Sequence, residues 1–207
     1  MVKTKRVRAA QALLVVVVTA ALVVGTYYFL ERSNQDPIAF HEAEPEPVTE
    51  AQKSGAALRE ELLHASAAKL KLTPERGVWG VLMERGYAKG VATFVALVDG
   101  TASLYTSSGG AAVGGKAYTP ARAAALKLVA RAADALAATS PAKDFPKPAA
   151  GRVRFYVLAE GGVRTAEVDA APGHADGGAE GPLAALLAAG DELVAGLQEA
   201  TSKGIVR

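Results

Sequence analysis

Residues 9–30 read AAQALLVVVVTAALVVGTYYFL, a run of 22 residues without a charge. Wound as an α-helix at 1.5 Å per residue, such a run extends about 33 Å, enough to cross a hydrocarbon core of about 30 Å. Gln11, Thr19 and Thr26 are its only polar interruptions before the cluster Tyr27, Tyr28 and Phe29, whose rings suit a membrane–water boundary. A cleaved signal peptide would have a shorter apolar stretch ending in small residues, whereas this run ends Tyr-Tyr-Phe-Leu-Glu-Arg. A buried core helix would carry polar positions at helical spacing, and the run has none. The sequence therefore predicts an uncleaved transmembrane anchor over 9–30.

Charge sets the direction. Lys3, Lys5, Arg6 and Arg8 precede the run, while Glu31 and Arg32 and then an acidic stretch follow it. Basic flanks stay cytoplasmic. The expectation is a single-pass protein of a cell inner membrane, with a cytoplasmic basic tip at 1–8 and the rest extracytoplasmic, in the periplasm. Those four side chains are among 23 basic residues, which leaves 19 basic against 21 acidic beyond Arg8. The sequence pI near 8.8 thus reflects the tip in part and gives no basic face for nucleic acid. With no cysteine in the chain, disulfides, thiol catalysis and zinc–thiolate sites are excluded.

Residues 31–50, ERSNQDPIAFHEAEPEPVTE, hold three prolines and several carboxylates and read as an extended spacer. His41 beside Glu42 and Glu44 lacks the fixed partners a metal would need. The remaining residues, 51–207, suffice for one domain with one modest core.

Within it, residues 51–71 suit a helix with Leu58, Leu62, Leu63 and Leu70 inward and Arg59, Glu60 and Glu61 outward. Strand-like runs follow at 78–84, 91–98 and 101–107, with a turn at 85–90 and a two-residue Asp99-Gly100 hairpin signal. After a Gly-rich loop at 108–118, Thr119 and Pro120 open a second helix with a stripe of Leu128, Val129, Ala132 and Leu136. A Pro-rich loop at 140–151 leads to a second hairpin around Gly161-Gly162. A loop at 170–181 then precedes a last helix bearing Leu183, Leu186, Leu187, Gly190, Val194 and Leu197 on one face. The predicted class is α+β: a largely antiparallel sheet of about five strands in the order α-βββ-α-ββ-α, behind one N-terminal transmembrane helix.

The stretch GVLMERGYAKGVATFVALVDGTASLYTSSGGAAVGG at 80–115, with GRVRFYVLAEGGVRTAEV further on, resembles an uncharacterised family of small bacterial α+β proteins. The resemblance covers most of residues 77–197. That family has no assigned activity, so the resemblance implies a coherent domain and no chemistry; the anchor is a departure from it. At fold level the element pattern is more weakly similar to profilin-like and roadblock/longin-type modules, which are binding and regulatory folds. The three strands before the middle helix and two after differ from a roadblock domain's two then three.

Gly110 to Lys116, GAAVGGK, satisfies the G-x-x-x-x-G-K part of a phosphate-binding loop between a strand and a helix. Ala117 offers no hydroxyl to Mg²⁺, and hairpins stand where parallel βαβ units belong. Ser66/Lys69 and Ser140/Lys143 match S-x-x-K without the partner motifs of penicillin-recognising enzymes. His41, His64 and His174 pair with nothing at metal or triad spacing. Trp79, Tyr87, Tyr105, Phe155 and Tyr156 read as core or half-buried strand residues. The sequence thus offers no catalytic, metal or cofactor set. It predicts a non-enzymatic extracytoplasmic interaction module with a protein partner in the cell envelope, contacted by a sheet edge or helix face. A sensor for a small ligand or anion, using Gly109, Gly110, Gly114, Gly115 and Lys116, is the second reading. A hydrolase or transferase ranks third.

Overall fold

Strand β1 (Val78–Tyr87) carries a nearly continuous apolar run rather than a strict alternation, the pattern of a strand covered on both faces. The computed structural model describes residues 50–170 and 181–205, with side chains from Gly55 onward in the first helix. The basic tip, the 9–30 run, residues 31–49 of the spacer and most of the 170–181 loop lie outside the described residues, as do His41 and His174. No helix among the described residues is long and apolar enough to cross a membrane.

The described chain is α+β. Helix α1 (Glu50–His64) precedes β1, β2 (Gly90–Leu97), β3 (Ala102–Thr106) and β4 (Ala111–Ala112). Then come α2 (Thr119–Ala135), β5 (Ser140–Pro141), β6 (Arg152–Ala159), β7 (Gly162–Asp169) and α3 (Pro182–Ser202). All seven strands form one sheet, ordered β4-β3-β2-β1-β6-β7-β5, and every neighbouring pair is antiparallel. The two strands beyond the five expected, β4 and β5, are two residues each and sit at the edges, inside the Gly-rich and Pro-rich segments. Their composition gives no strand signal; pairing with β3 and β7 makes them.

Register sorts the side chains. Leu82 lies opposite Val95 and Tyr156, and its neighbour Met83 opposite Phe94 and Phe155. On the Met83 face pack α2 and α3, which bury mainly alanine, leucine, valine and glycine. A Cβ on Gly190 would stand 2.3 Å from Met83 Sδ, and one on Gly196 would stand 3.0 Å from Ala121 Cα. Glycine therefore lets α3 lie close to both the sheet and α2. On the Leu82 face, Trp79, Leu82, Val95, Tyr156 and Leu158 cluster with Leu63 of α1.

Several boundaries differ from expectation. Helix α1 ends at His64 rather than running to 71, because Ser66 Oγ accepts from Lys69 N (3.3 Å) and Leu72 N donates to Ala67 O (2.9 Å). Such local bonds compete with the helix. Leu70 and Leu72 return to pack at the Trp79 cluster. The helix is also rotated from the expected face: Leu58 is 37% exposed and Arg59 only 6%. Strand β1 continues through Gly86 to Tyr87, and the turn is Ala88-Lys89. Gly86 marks a close approach and not a turn, since a Cβ there would lie 2.0 Å from Ala149 O. The β2–β3 hairpin closes with Leu97 N on Thr101 O (3.0 Å) and Gly100 at φ +83, a three-residue connection rather than two. Helix α2 is capped at Tyr118, one residue before Thr119.

Candidate functional site

Thr106, the last residue of β3, organises the Gly-rich loop. Its Oγ1 accepts from Gly110 N (2.8 Å), its N donates to Gly110 O (2.8 Å) and its O accepts from Gly109 N (3.1 Å). The amides of Gly109 and Gly110 are thus spent inside a tight turn. Past β4, Gly114 at φ +93 opens a 3-10 turn over Gly115–Ala117. Gly115 is buried, and a Cβ there would lie 2.9 Å from Ala102 O and 2.8 Å from Leu197 Cδ2. Lys116 Nζ donates to Asp99 Oδ2 of the β2–β3 turn (2.6 Å), and Thr101 N donates to Asp99 Oδ1 (3.0 Å). Burial raises the Asp99 pKa, but these bonds outweigh it and hold the carboxyl below its ordinary value. Of the five residues expected to hold a ligand, Gly109 and Gly110 serve the β3–β4 turn, Gly114 opens the 3-10 turn, Gly115 serves packing and Lys116 serves an ion pair.

A different set of polar residues converges on the α1 face. The ladder places Thr93 opposite Glu84, Glu84 opposite Arg154 and Arg154 opposite Glu167, a polar row across β2, β1, β6 and β7. Glu84 is fully buried. Arg59 of α1 reaches it with Nε on Oε1 (2.5 Å) and NH2 on Oε2 (3.0 Å), and Thr93 Oγ1 donates to Oε1 (3.1 Å). The same guanidinium donates to Phe145 O (2.8 Å) and to Glu60 Oε1 (2.8 Å), and lies 5.6 Å from the Tyr156 ring centroid. Burial lowers the Arg59 pKa, yet the hydrogen bonds and charge of Glu84 outweigh it, so the group is held more firmly protonated than usual.

The 140–151 loop is pinned from beneath by this row. Tyr156 Oη donates to Pro146 O (2.5 Å) and Arg154 NH1 to the same oxygen (3.0 Å). Phe145 stands edge-on to both Tyr156 and His64, at centroid distances of 5.6 and 5.4 Å. Toward the β7 edge the row continues as an ion cluster of Arg152, Arg154, Glu167 and Asp169. Burial raises the Glu167 pKa, and its two arginines more than reverse that. Each charge in the row meets an opposite one. The enclosed bidentate carboxylate–guanidinium pair ties α1 to the sheet.

The sequence carries one signal of this arrangement. In VWGVLME, Glu84 shares the alternating face of Gly80 and Leu82, so an inward β1 places a carboxylate in the core, where it needs a cation. Gly55, Arg59 and Leu63 repeat every four residues along α1 and form its seam.

Two open depressions lie elsewhere. One, of about 500 Å³, is bordered by Gly77, Leu136, Ala159, Gly161 and Arg164, but the Arg164 guanidinium is turned onto Thr139. The other, of about 370 Å³, lies between α2 and α3 and is crossed by the Lys127–Glu192 pair (2.5 Å). Lys69 of the first S-x-x-K is paired with Glu61 (3.3 Å), and Ser140 of the second lies exposed in β5. Trp79, Phe155 and Tyr156 are buried, and Tyr87 and Tyr105 half-buried. Among the described residues no group of three or more His, Asp or Glu is placed to hold a metal. No protein-family model, curated protein or solved structure matches the chain, which leaves the geometry above and the sequence to carry its functional reading.

Proposed function

We propose that the chain is a single-pass membrane protein whose C-terminal α+β domain is an extracytoplasmic, non-enzymatic interaction module. Residues 9–30 span the inner membrane in this reading, Lys3, Lys5, Arg6 and Arg8 hold the N-terminus in the cytoplasm, and residues 31–50 space the domain from the bilayer. The observation that carries the interaction reading is the closed Arg59–Glu84–Thr93 set. A fully buried carboxylate, Glu84, joins a helix to a sheet, as scaffolding does, instead of facing a cleft. A protein partner of the cell envelope is the expected ligand.

A reporter active only outside the cytoplasm, fused after Arg207, tests the topology. The expected result is activity on a full-length product that stays with membranes. An inactive fusion of the same size would place the domain in the cytoplasm and overturn the reading.

A further inference from the structure

Helix α1 is the least firmly seated of the three. Its seam consists of Gly55, Arg59 and Leu63, with Leu62 half-buried and Leu58 exposed, so Leu63 is the one large apolar side chain it buries fully among its described residues. By contrast α2 buries seven residues and α3 eight. The cluster that Leu63 joins is strongly apolar, with Trp79, Leu82, Val95, Tyr156 and Leu158 each at most 3% exposed, and Glu84 lies on the same face of the sheet. The ion pair contributes little net stability over an apolar contact, because both charges lose water when the helix docks. If the helix lifts, Glu84 and Arg59 both regain water, so the pair opposes undocking less than well-packed leucine contacts would.

We propose that α1 is a displaceable cover, and that the sheet face beneath it receives a partner helix with α1's own chemistry: a small residue, an arginine and a leucine at four-residue spacing. Charge complementarity selects this occupant. Glu84 requires a guanidinium whose fork matches its two oxygens, and Thr93 fixes one of those oxygens (3.1 Å). Tyr105 requires a small residue, since a Cβ on Gly55 already stands 3.3 Å from Tyr105 Cβ. Beside α1 the cluster is also packed by Leu70 and Leu72 of the 65–72 return and by Phe145 of the 140–151 loop, so release moves α1 against a standing rim. The proposal rests on reading the domain as an interaction module and gives that module its contact face and its regulation.

The chain has no cysteine, which makes thiol labelling a clean readout. Leu82 and Met83 are adjacent, both fully buried, and face α1 and α3 respectively. In the full chain in detergent, Leu82→Cys is expected to react with a maleimide at least about tenfold faster than Met83→Cys, because local opening exposes the first and only global unfolding the second. Adding Glu84→Gln is expected to raise the Leu82→Cys rate by at least a further tenfold or so and to keep it above the Met83→Cys rate, which rises only as far as the loss of overall stability carries it. Should that variant unfold, both rates rise together, and the ratio in the parent background decides alone. A synthetic peptide of residues 50–64 is expected to slow labelling of Leu82→Cys, and the same peptide with Arg59→Leu is not. Equal labelling of the two positions would overturn the proposal by making α1 an integral layer. Fast labelling without protection by the peptide would overturn the helix-receiving face. Neither result depends on which side of a membrane the domain occupies, so the topology reading stands or falls separately.

Discussion

Glu84 and Arg59 are worth less together than either is missed alone. Removing one partner leaves a charge in the apolar layer between α1 and the sheet, at a cost of about 3–5 kcal/mol. Replacing both, as Arg59→Met with Glu84→Leu, is expected to leave stability within about 1–2 kcal/mol of the parent, because neither charge then has to be desolvated. Urea unfolding of the two single variants and the double variant gives the cycle, and additive losses would refute the coupling. Glu167 supports a pH prediction. Its pKa lies below the ordinary 4.5, so its ion pairs add stability above that value and lose it as pH falls through the folded pKa. Between about pH 5 and pH 3 the urea midpoint of the parent is expected to fall more steeply than that of Glu167→Gln. Parallel slopes would assign the acid sensitivity to other carboxylates. At this scale the sequence was half readable: Glu84 stood at an inward position of β1, but nothing local named a partner 25 residues earlier.

Elements were easier to read than their ends. The long periodic segments became β1, β2, β6, β7, α2 and α3, since β-branched and aromatic runs and four-residue apolar spacing specify them locally. The edge strands β4 and β5 escaped, because two residues carry no period. Gly86 was misread for a physical reason: a glycine in a strand resembles a turn signal when what it serves is passage of another backbone. That role is testable. Gly86→Ala is expected to cost about 1–3 kcal/mol through collision with the Ala149 carbonyl, whereas Gly161→Ala, with nothing within 4 Å of its Cβ, is expected to be nearly neutral. Thermal melts of the two variants, compared with the parent, give the contrast, and equal losses would remove the distinction. The rotation of α1 that buries Arg59 and exposes Leu58 was not readable from the helix alone. Leucine outranks arginine for burial in general, and only the carboxylate on the facing sheet reverses the order.

For the molecule as a whole, the layout follows from how β1 is used. It pairs with β2 on one side and with β6 on the other, joining the early meander to the late hairpin. The fold class was available from pattern alone, as alternating runs separated by turn residues and helical stretches. The Gly-rich loop, which looked most like a site, is consumed by a turn, a packing contact and an ion pair, whereas the polar row lies on strands whose apolar content concealed it. The central β1–β6 pair also orders events in time. Val81 meets Val157 across about 75 residues of chain, so the middle of the sheet cannot be completed until β6 has been delivered long after β1. That late closure leaves β1 without its inner neighbour while the chain is being made, and makes completion of the sheet one late event rather than a stepwise one.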